Sequence, residues 1–253
     1  MALSTVVSLD RTAAMIFDTD GVITDTARVH AAAWKRVFDA FLRDRATRSG
    51  ERFRPFDTGE DYLLHVDGKP RADGVRDFLL SRGITPDPDV VTALAARKDA
   101  SFLAEIRRHG VTPFPSTVAL VEELRRRGVR TAAVSASRNC AEVLRAAKVA
   151  HLFDVRVDGV DAARLRLAGK PDPALFLQAA RRLGVTPAEA AVVEDSLAGV
   201  RAGARGRFGL VVGVDRQRRQ GVALRASGAG LVVTDLAEIQ LDGRRSEPLA
   251  PHL

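Results

Sequence analysis

Ala13-Ala14-Met15-Ile16-Phe17-Asp18-Thr19-Asp20-Gly21-Val22 is an apolar run that stops at two carboxylates one residue apart and then a glycine. A short apolar run closed by a turn signal reads as a fully buried strand. Carboxylates at the carboxyl end of such a strand lie where open parallel sheets bind ligands. Side chains alternate along a strand, so Asp18 and Asp20 would share a face if the strand continued. Gly21 instead bends the chain and lets Asp20 approach the same small volume from a second direction. One carboxylate can then attack while the other handles a proton, provided a cation suppresses their mutual repulsion. Taken alone, D-x-D-G fits a solvated Asp-Gly turn equally well. The rest of the chain has to decide.

Outward from this stretch the pattern changes twice. Residues 27–41 read as a helix, with Val29, Ala33, Val37 and Phe41 recurring every four residues. Residues 43–55 dissolve into charge, Gly50 and Pro55 and read as a loop. Helical spacing returns over 71–80, and Asp87-Pro88 opens a helix running to about His109. Nothing between 27 and 109 reads as a strand. Beyond it, helix and strand alternate: helices over 116–127, 139–148, from Asp172-Pro173 to Gly184 and over 197–204; strands over 129–135, 153–157, 191–194, 210–214 and 231–233. Thr186-Pro187-Ala188-Glu189 forms a capping box. Such alternation predicts an α/β fold, a doubly wound parallel sheet covered on both faces. The predicted domains are a catalytic core of residues 1–26 and 110–253, with 27–109 inserted as a helical unit. The tail from 242 onward is expected to be loose.

Bulk properties narrow the function classes. The chain has 253 residues, 46% hydrophobic and 28% charged, as in ordinary globular proteins. No apolar run has the length of a membrane span, and the first twelve residues lack a signal-peptide pattern. A single cysteine, Cys140, excludes intramolecular disulfides and predicts a cytoplasmic protein. It stands at an expected helix start without a base partner, which predicts a packing role. The net charge of +7 is carried almost wholly by arginine, in clusters such as Arg125-Arg126-Arg127 and Arg216 with Arg218-Arg219. One Trp and one Tyr leave little for stacking on bases, so no nucleic-acid partner is expected. A basic surface instead suits a small anionic substrate.

Three further features fall at strand ends. Val134-Ser135-Ala136-Ser137-Arg138-Asn139 places hydroxyls, a cation and an amide at a strand-to-helix turn, which offers N–H groups to phosphate. Gly169-Lys170-Pro171-Asp172-Pro173 holds a lysine able to neutralise phosphate oxygens and a carboxylate together. Val192-Val193-Glu194-Asp195-Ser196 is a second apolar run ending in paired carboxylates, hard oxygen ligands suited to magnesium.

With the opening stretch, these elements resemble, in order, the four motifs of the haloacid dehalogenase superfamily of phosphotransferases. That resemblance implies a Rossmann-like core with an inserted cap. It implies Asp18 as nucleophile forming an aspartyl-phosphate, Asp20 as general acid/base, and Ser135 and Lys170 holding the transferring phosphoryl group. Magnesium would be bound by Asp18, the backbone carbonyl of Asp20, Glu194 and Asp195. Phosphoryl transfer asks mainly for positioning and charge neutralisation, which this set supplies. Asp20-Gly21-Val22-Ile23-Thr24-Asp25-Thr26 with His30 and Trp34 further resembles the β-phosphoglucomutase family, as do Gly68-Lys69-Pro70-Arg71 and Ala96-Arg97-Lys98-Asp99. Thr26, His30 and Trp34 are spaced to share one helix face, although His30 alone also fits a half-buried helix residue.

The resemblance makes Thr26, His30, Trp34, Arg71, Lys98, Ser137, Arg138 and Asn139 substrate contacts, Arg71 gripping a distal phosphate. It implies interconversion of β-glucose 1-phosphate and glucose 6-phosphate through a β-glucose 1,6-bisphosphate intermediate, by a monomer or weak dimer. The alternative is a magnesium-dependent phosphatase acting on a sugar phosphate. Thr19, Ala72 and the long stretch 43–66 depart from the family pattern.

Overall fold

The computed structural model describes residues 5–243. In chain order these form β1 (Val6–Ser8), β2 (Ala14–Asp18), α1 (Ala27–Ser49), α2 (Arg71–Ser81), α3 (Pro88–His109) and α4 (Pro115–Arg126). There follow β3 (Arg130–Val134), α5 (Cys140–Ala146), β4 (Val155–Val157), α6 (Gly159–Leu165), α7 (Ala174–Leu183) and β5 (Ala190–Glu194). The chain continues through α8 (Leu197–Arg205), β6 (Leu210–Val214), α9 (Gly221–Ala226), β7 (Leu231–Val233) and β8 (Gln240–Asp242).

Six strands form one parallel sheet in the order β4-β3-β2-β5-β6-β7. The order reverses at β2, whose neighbours are β3 on one side and β5 on the other. A crevice opens at such a switch point, outside the carboxyl ends of the strands. Register brings the motifs to it: Asp18 lies opposite Val134, and Phe17 opposite Val193. Both faces are buried, and alternation sorts them. Met15 and Phe17 pack in one apolar cluster, whereas Ala14 and Ile16 pack in the other with Leu175 and Phe176 of α7. Parity therefore sends Asp18 and Glu194 to the α7 side, where Lys170 enters.

Among the described residues no strand interrupts 27–109. Helices α1 to α3 have an apolar cluster of their own, built on Trp34, Phe38, Phe56 and Phe78. Trp34 stacks on Phe38 with ring centroids 4.9 Å apart, and Phe38 meets Phe78 at 4.2 Å. Aspartate 87 caps α3, accepting from Asp89 N and Val90 N.

Three sequence expectations need correction. Residues 43–49 are not loop but the last two turns of α1. Charge does not break a helix, Asp44 and Arg48 pair across one turn, and Gly50 in the left-handed conformation closes the end on Ala46 O. The helix expected over 139–148 is shorter, and the strand expected from 153 begins at Val155. Strands β1 and β8 pair in a small parallel sheet that periodicity did not mark, because three residues are too few to show a period. Of the expected loose tail, 242 belongs to β8 and 244–253 lie outside the described residues.

Candidate active site

Asp18 is the last residue of β2 and is nearly buried. Its Oδ2 accepts from the Asp20 backbone N–H at 3.0 Å, and its Oδ1 pairs with Lys170 Nζ. The bend that brings Asp20 back depends on Gly21, whose φ is +83°. A Cβ at Gly21 would also lie 1.8 Å from Asp195 Oδ2, so this position has room for glycine alone. Asp20 Oδ2 accepts from Ser135 Oγ at 3.3 Å, and Oδ1 accepts from Thr26 Oγ1. His30 Nε2 stands 3.2 Å from the same Oδ1.

Lys170 bridges Asp18 and Glu194 from the α7 side. The other Glu194 oxygen accepts from Ser196 N at 2.8 Å and Ser196 Oγ at 2.9 Å. Asp18, Glu194 and Asp195 each offer an oxygen within 4.8 Å of the others. Burial pushes the Asp18 carboxyl well above the usual range; Lys170 pulls it back while Glu194 and Asp20 add to the rise. Asp195 is raised by burial and then by Asp67, Glu194 and Asp18. For Lys170 burial acts downward, but Asp18 and Glu194 prevail and keep it charged. Three crowded carboxylates around one ammonium leave negative charge in excess. An all-oxygen set of this kind fits a hard divalent cation.

On the opposite wall, burial alone would raise Asp20, yet His30 and Thr26 hold it well below the carboxylate range. Burial and the nearby Lys98 hold the His30 imidazole down, while Asp20 acts in the opposite direction. Lys98 Nζ stands 2.5 Å from His30 Nδ1, over the Trp34 and Phe102 rings. Burial brings the Lys98 amine down to about 7.

Of the residues expected from the sequence, Asp18, Asp20, His30, Trp34, Arg71, Lys98, Ser135, Ser137, Lys170 and Asp195 line one cleft. Thr26 and buried Glu194 stand behind it, bonding Asp20 and Lys170. Two residues are not brought to the wall. Arg138 is exposed, because the turn after β3 points it outward. Asn139 gives its amide to Asp99 Oδ1 at 2.6 Å, the atom that also pairs with Arg71 at 2.6 Å. Sequence reasoning assigned no part to Tyr62, Asp67 and Ser196, which also line the cleft. Asp67 immediately precedes the quoted G-K-P-R and Tyr62 is the sole tyrosine, but neither has a helical or strand period to mark it. Cys140 is the first residue of α5, buried, 3.4 Å from Thr19 Oγ1, with its thiol pushed up by burial. It packs, as expected. Thr19 itself donates to Val134 O at 3.0 Å, tying β2 to β3.

The arginine clusters are largely spent on the fold. Arg125 pairs with Asp154, Arg126 and Arg127 with Glu123, and Arg216 with Asp235 while lying 3.6 Å from the Phe114 ring centre. No helix of the described residues is long and apolar enough to cross a membrane.

Residues 12–207 match the family model of haloacid dehalogenase-like hydrolases. The chain is 45% identical over 241 residues to the β-phosphoglucomutase of Mycobacterium bovis, covering 91% of this chain and 92% of that protein. To the β-phosphoglucomutase of Bacillus subtilis it is 32% identical over 235 residues, covering 90% and 92%. Among solved structures it is similar to a β-phosphoglucomutase from Clostridium difficile, with a TM-score of 0.72, 25% identity and coverage of 90% and 93%. The chain is thus an enzyme of the haloacid dehalogenase-like hydrolase family and belongs to its β-phosphoglucomutase branch.

Proposed function

We propose that this enzyme interconverts β-glucose 1-phosphate and glucose 6-phosphate. The observation that carries the chemistry is the placement of Asp18: a buried carboxylate with Lys170 on one side and a second carboxylate, Asp20, reaching in from the other. In this reading Asp18 attacks phosphorus and the bond from phosphorus to the sugar oxygen breaks. Asp20 gives that oxygen a proton, and takes one back when a sugar hydroxyl attacks the aspartyl-phosphate. Starting from Asp18-phosphate, the phosphoryl group goes to the 6-hydroxyl of β-glucose 1-phosphate, freeing Asp18. The bisphosphate turns around, its 1-phosphoryl group passes to Asp18 as the bond to the 1-oxygen breaks, and glucose 6-phosphate leaves.

Thr26, His30 and Ser135 hold the Asp20 oxygens in place, and His30 and Thr26 favour its ionised form. It therefore acts first as base, and the proton it takes from one sugar hydroxyl is the one it gives the other sugar oxygen. Ser135 and Lys170 neutralise the charge that spreads over the transferring group. Asp18, Glu194 and Asp195, with the Asp20 carbonyl, would hold magnesium, which supplies further charge neutralisation there. Residues 27–109 act as the cap, offering Arg71 and Lys98 to the distal phosphate and the sugar, with Ser137 facing them from the core.

A sugar-phosphate phosphatase would use the same Asp18 with water as final acceptor. The deciding assay supplies β-glucose 1-phosphate with magnesium and measures glucose 6-phosphate and inorganic phosphate together. Dominant glucose 6-phosphate formation is expected. Phosphate release without glucose 6-phosphate would overturn the mutase reading and leave the phosphatase.

A further inference from the structure

Asp67 lines the cleft and has no part in the scheme above. It follows the single π-helical turn Tyr62–Val66, which its backbone N–H closes on Tyr62 O at 2.9 Å. The other carboxylates of the cleft wall, Asp18, Asp20 and Asp195, come from the core; Asp67 comes from between α1 and α2.

A close contact places it there. Gly68 has φ of +68°, and a Cβ on it would lie 2.5 Å from Ser196 Oγ. Ser196 is the residue that holds Glu194. Asp67 is therefore seated one residue from the contact with the turn that follows Glu194, the end of β5, and carries Asp195 and Ser196. Burial brings its carboxyl up to about 7, Glu194 adds to the rise, and Tyr62 works against it through a hydrogen bond. Among its charged neighbours Asp195 is affected most by Asp67. Yet Asp67 is not one of the three residues whose oxygens lie within 4.8 Å of one another. That is the position of an outer partner, which accepts hydrogen bonds from the water a small divalent ion retains.

We propose that Asp67 is a positioning residue for the divalent cation, contributed by the cap, so that cation binding and seating of the cap on the core favour one another. The inference rests on the reading that Asp18, Glu194 and Asp195 hold such a cation. Without the ion, Asp67 opposes ionisation of Asp195 in the same cleft. With it, both are drawn to one positive centre. Coupling of this kind is reciprocal: whatever seats the cap also tightens the ion.

The test uses the full chain and magnesium chloride alone, with no sugar phosphate. Calorimetry gives the affinity. Emission from Trp34, the only tryptophan and a residue of the cleft wall, reports the cap. The wild type should bind magnesium with an emission change that saturates in step with binding. Asp67→Asn should bind about ten-fold more weakly and lose most of the emission change, at an unaltered melting temperature without the ion. Asp67→Glu should restore part of both.

Equal affinity and equal emission change in wild type and Asp67→Asn would overturn the inference. So would a separate turnover assay in which Asp67→Asn changes only KM for the sugar phosphate, which would make Asp67 a sugar contact. If the wild type binds no magnesium, or Asp195→Asn binds it as tightly as the wild type, the cation reading itself fails. That outcome is distinct from failure at Asp67 alone.

Discussion

At the scale of single residues, Asp18 shows how burial and pairing fix the carboxylate proposed as the nucleophile. One oxygen pairs with Lys170 and the other accepts from Asp20 N–H, so the group is oriented before any substrate arrives. Asp18→Asn keeps the shape and removes the charge. Turnover should fall at least about 10³-fold, measured with the coupled glucose 6-phosphate assay, while the melting temperature stays within a few degrees. Lys98 gives a prediction about stability. Its amine is brought from an ordinary 10.5 down to about 7 by burial. Between those values the unfolded chain holds a proton that the folded chain does not. The unfolding free energy therefore gains from this residue as pH rises above 7, and the penalty is complete below 7. One proton corresponds to about 1.4 kcal/mol per pH unit, so from pH 7 to 9 the contribution is on the order of 2 kcal/mol. Urea unfolding of wild type and Lys98→Met at both pH values should show a smaller rise for the variant.

Elements explain how the long excursion after α1 is held. Residue 39, on α1, is a buried aspartate whose Oδ1 accepts from Phe56 N at 2.7 Å and whose Oδ2 pairs with Lys35 at 2.9 Å. Phe56 in turn packs against Phe38 and Phe78 in the apolar cluster of helices α1 to α3. Asp39→Ala leaves a buried N–H without its partner and should cost about 1–3 kcal/mol, seen as a lower denaturant midpoint. Asp39→Asn, which can still accept, should lose less. This tie was not legible in the sequence. An aspartate within a helical pattern gives no sign of a partner seventeen residues away. The reverse error came from 43–49, where charged residues masked a helix that α1 simply continues.

Over the whole molecule, Arg71 and Asn139 meet on Asp99, one of the links that join the helical insertion to the core, beside Arg107–Glu142 and His30–Asp20. A mutase must hold a bisphosphate at both ends, and a guanidinium can grip the distal phosphate through two hydrogen bonds. That grip would help seat the cap and keep water from Asp18-phosphate. Arg71→Ala should therefore lose on the order of 2–4 kcal/mol in the mutase reaction and spare hydrolysis of a small monophosphate. Both rates measured on the purified variant decide it. Equal loss of both would mean that Arg71 serves the fold rather than the choice between sugar and water.

The α/β alternation, the helical stretch after β2 and the placing of carboxylates and hydroxyls at strand ends were legible in the sequence. Each depends on a short-range signal: an apolar run, a cap, or a carboxylate after a strand. The family followed from the order of four such signals. What the tertiary structure alone decided is which groups meet. Parallel register and the switch point at β2 bring Asp18, Ser135 and Glu194 to one crevice. Packing of α3 beside α2 sets Asp99 against Arg71, the insertion's seat on the core brings Asn139 to the same Asp99 and Asp67 to the cleft, and the turn after β3 leaves Arg138 exposed. Local pattern records the burial of each residue, whereas distance between residues far apart in the chain arises only when the whole core is packed.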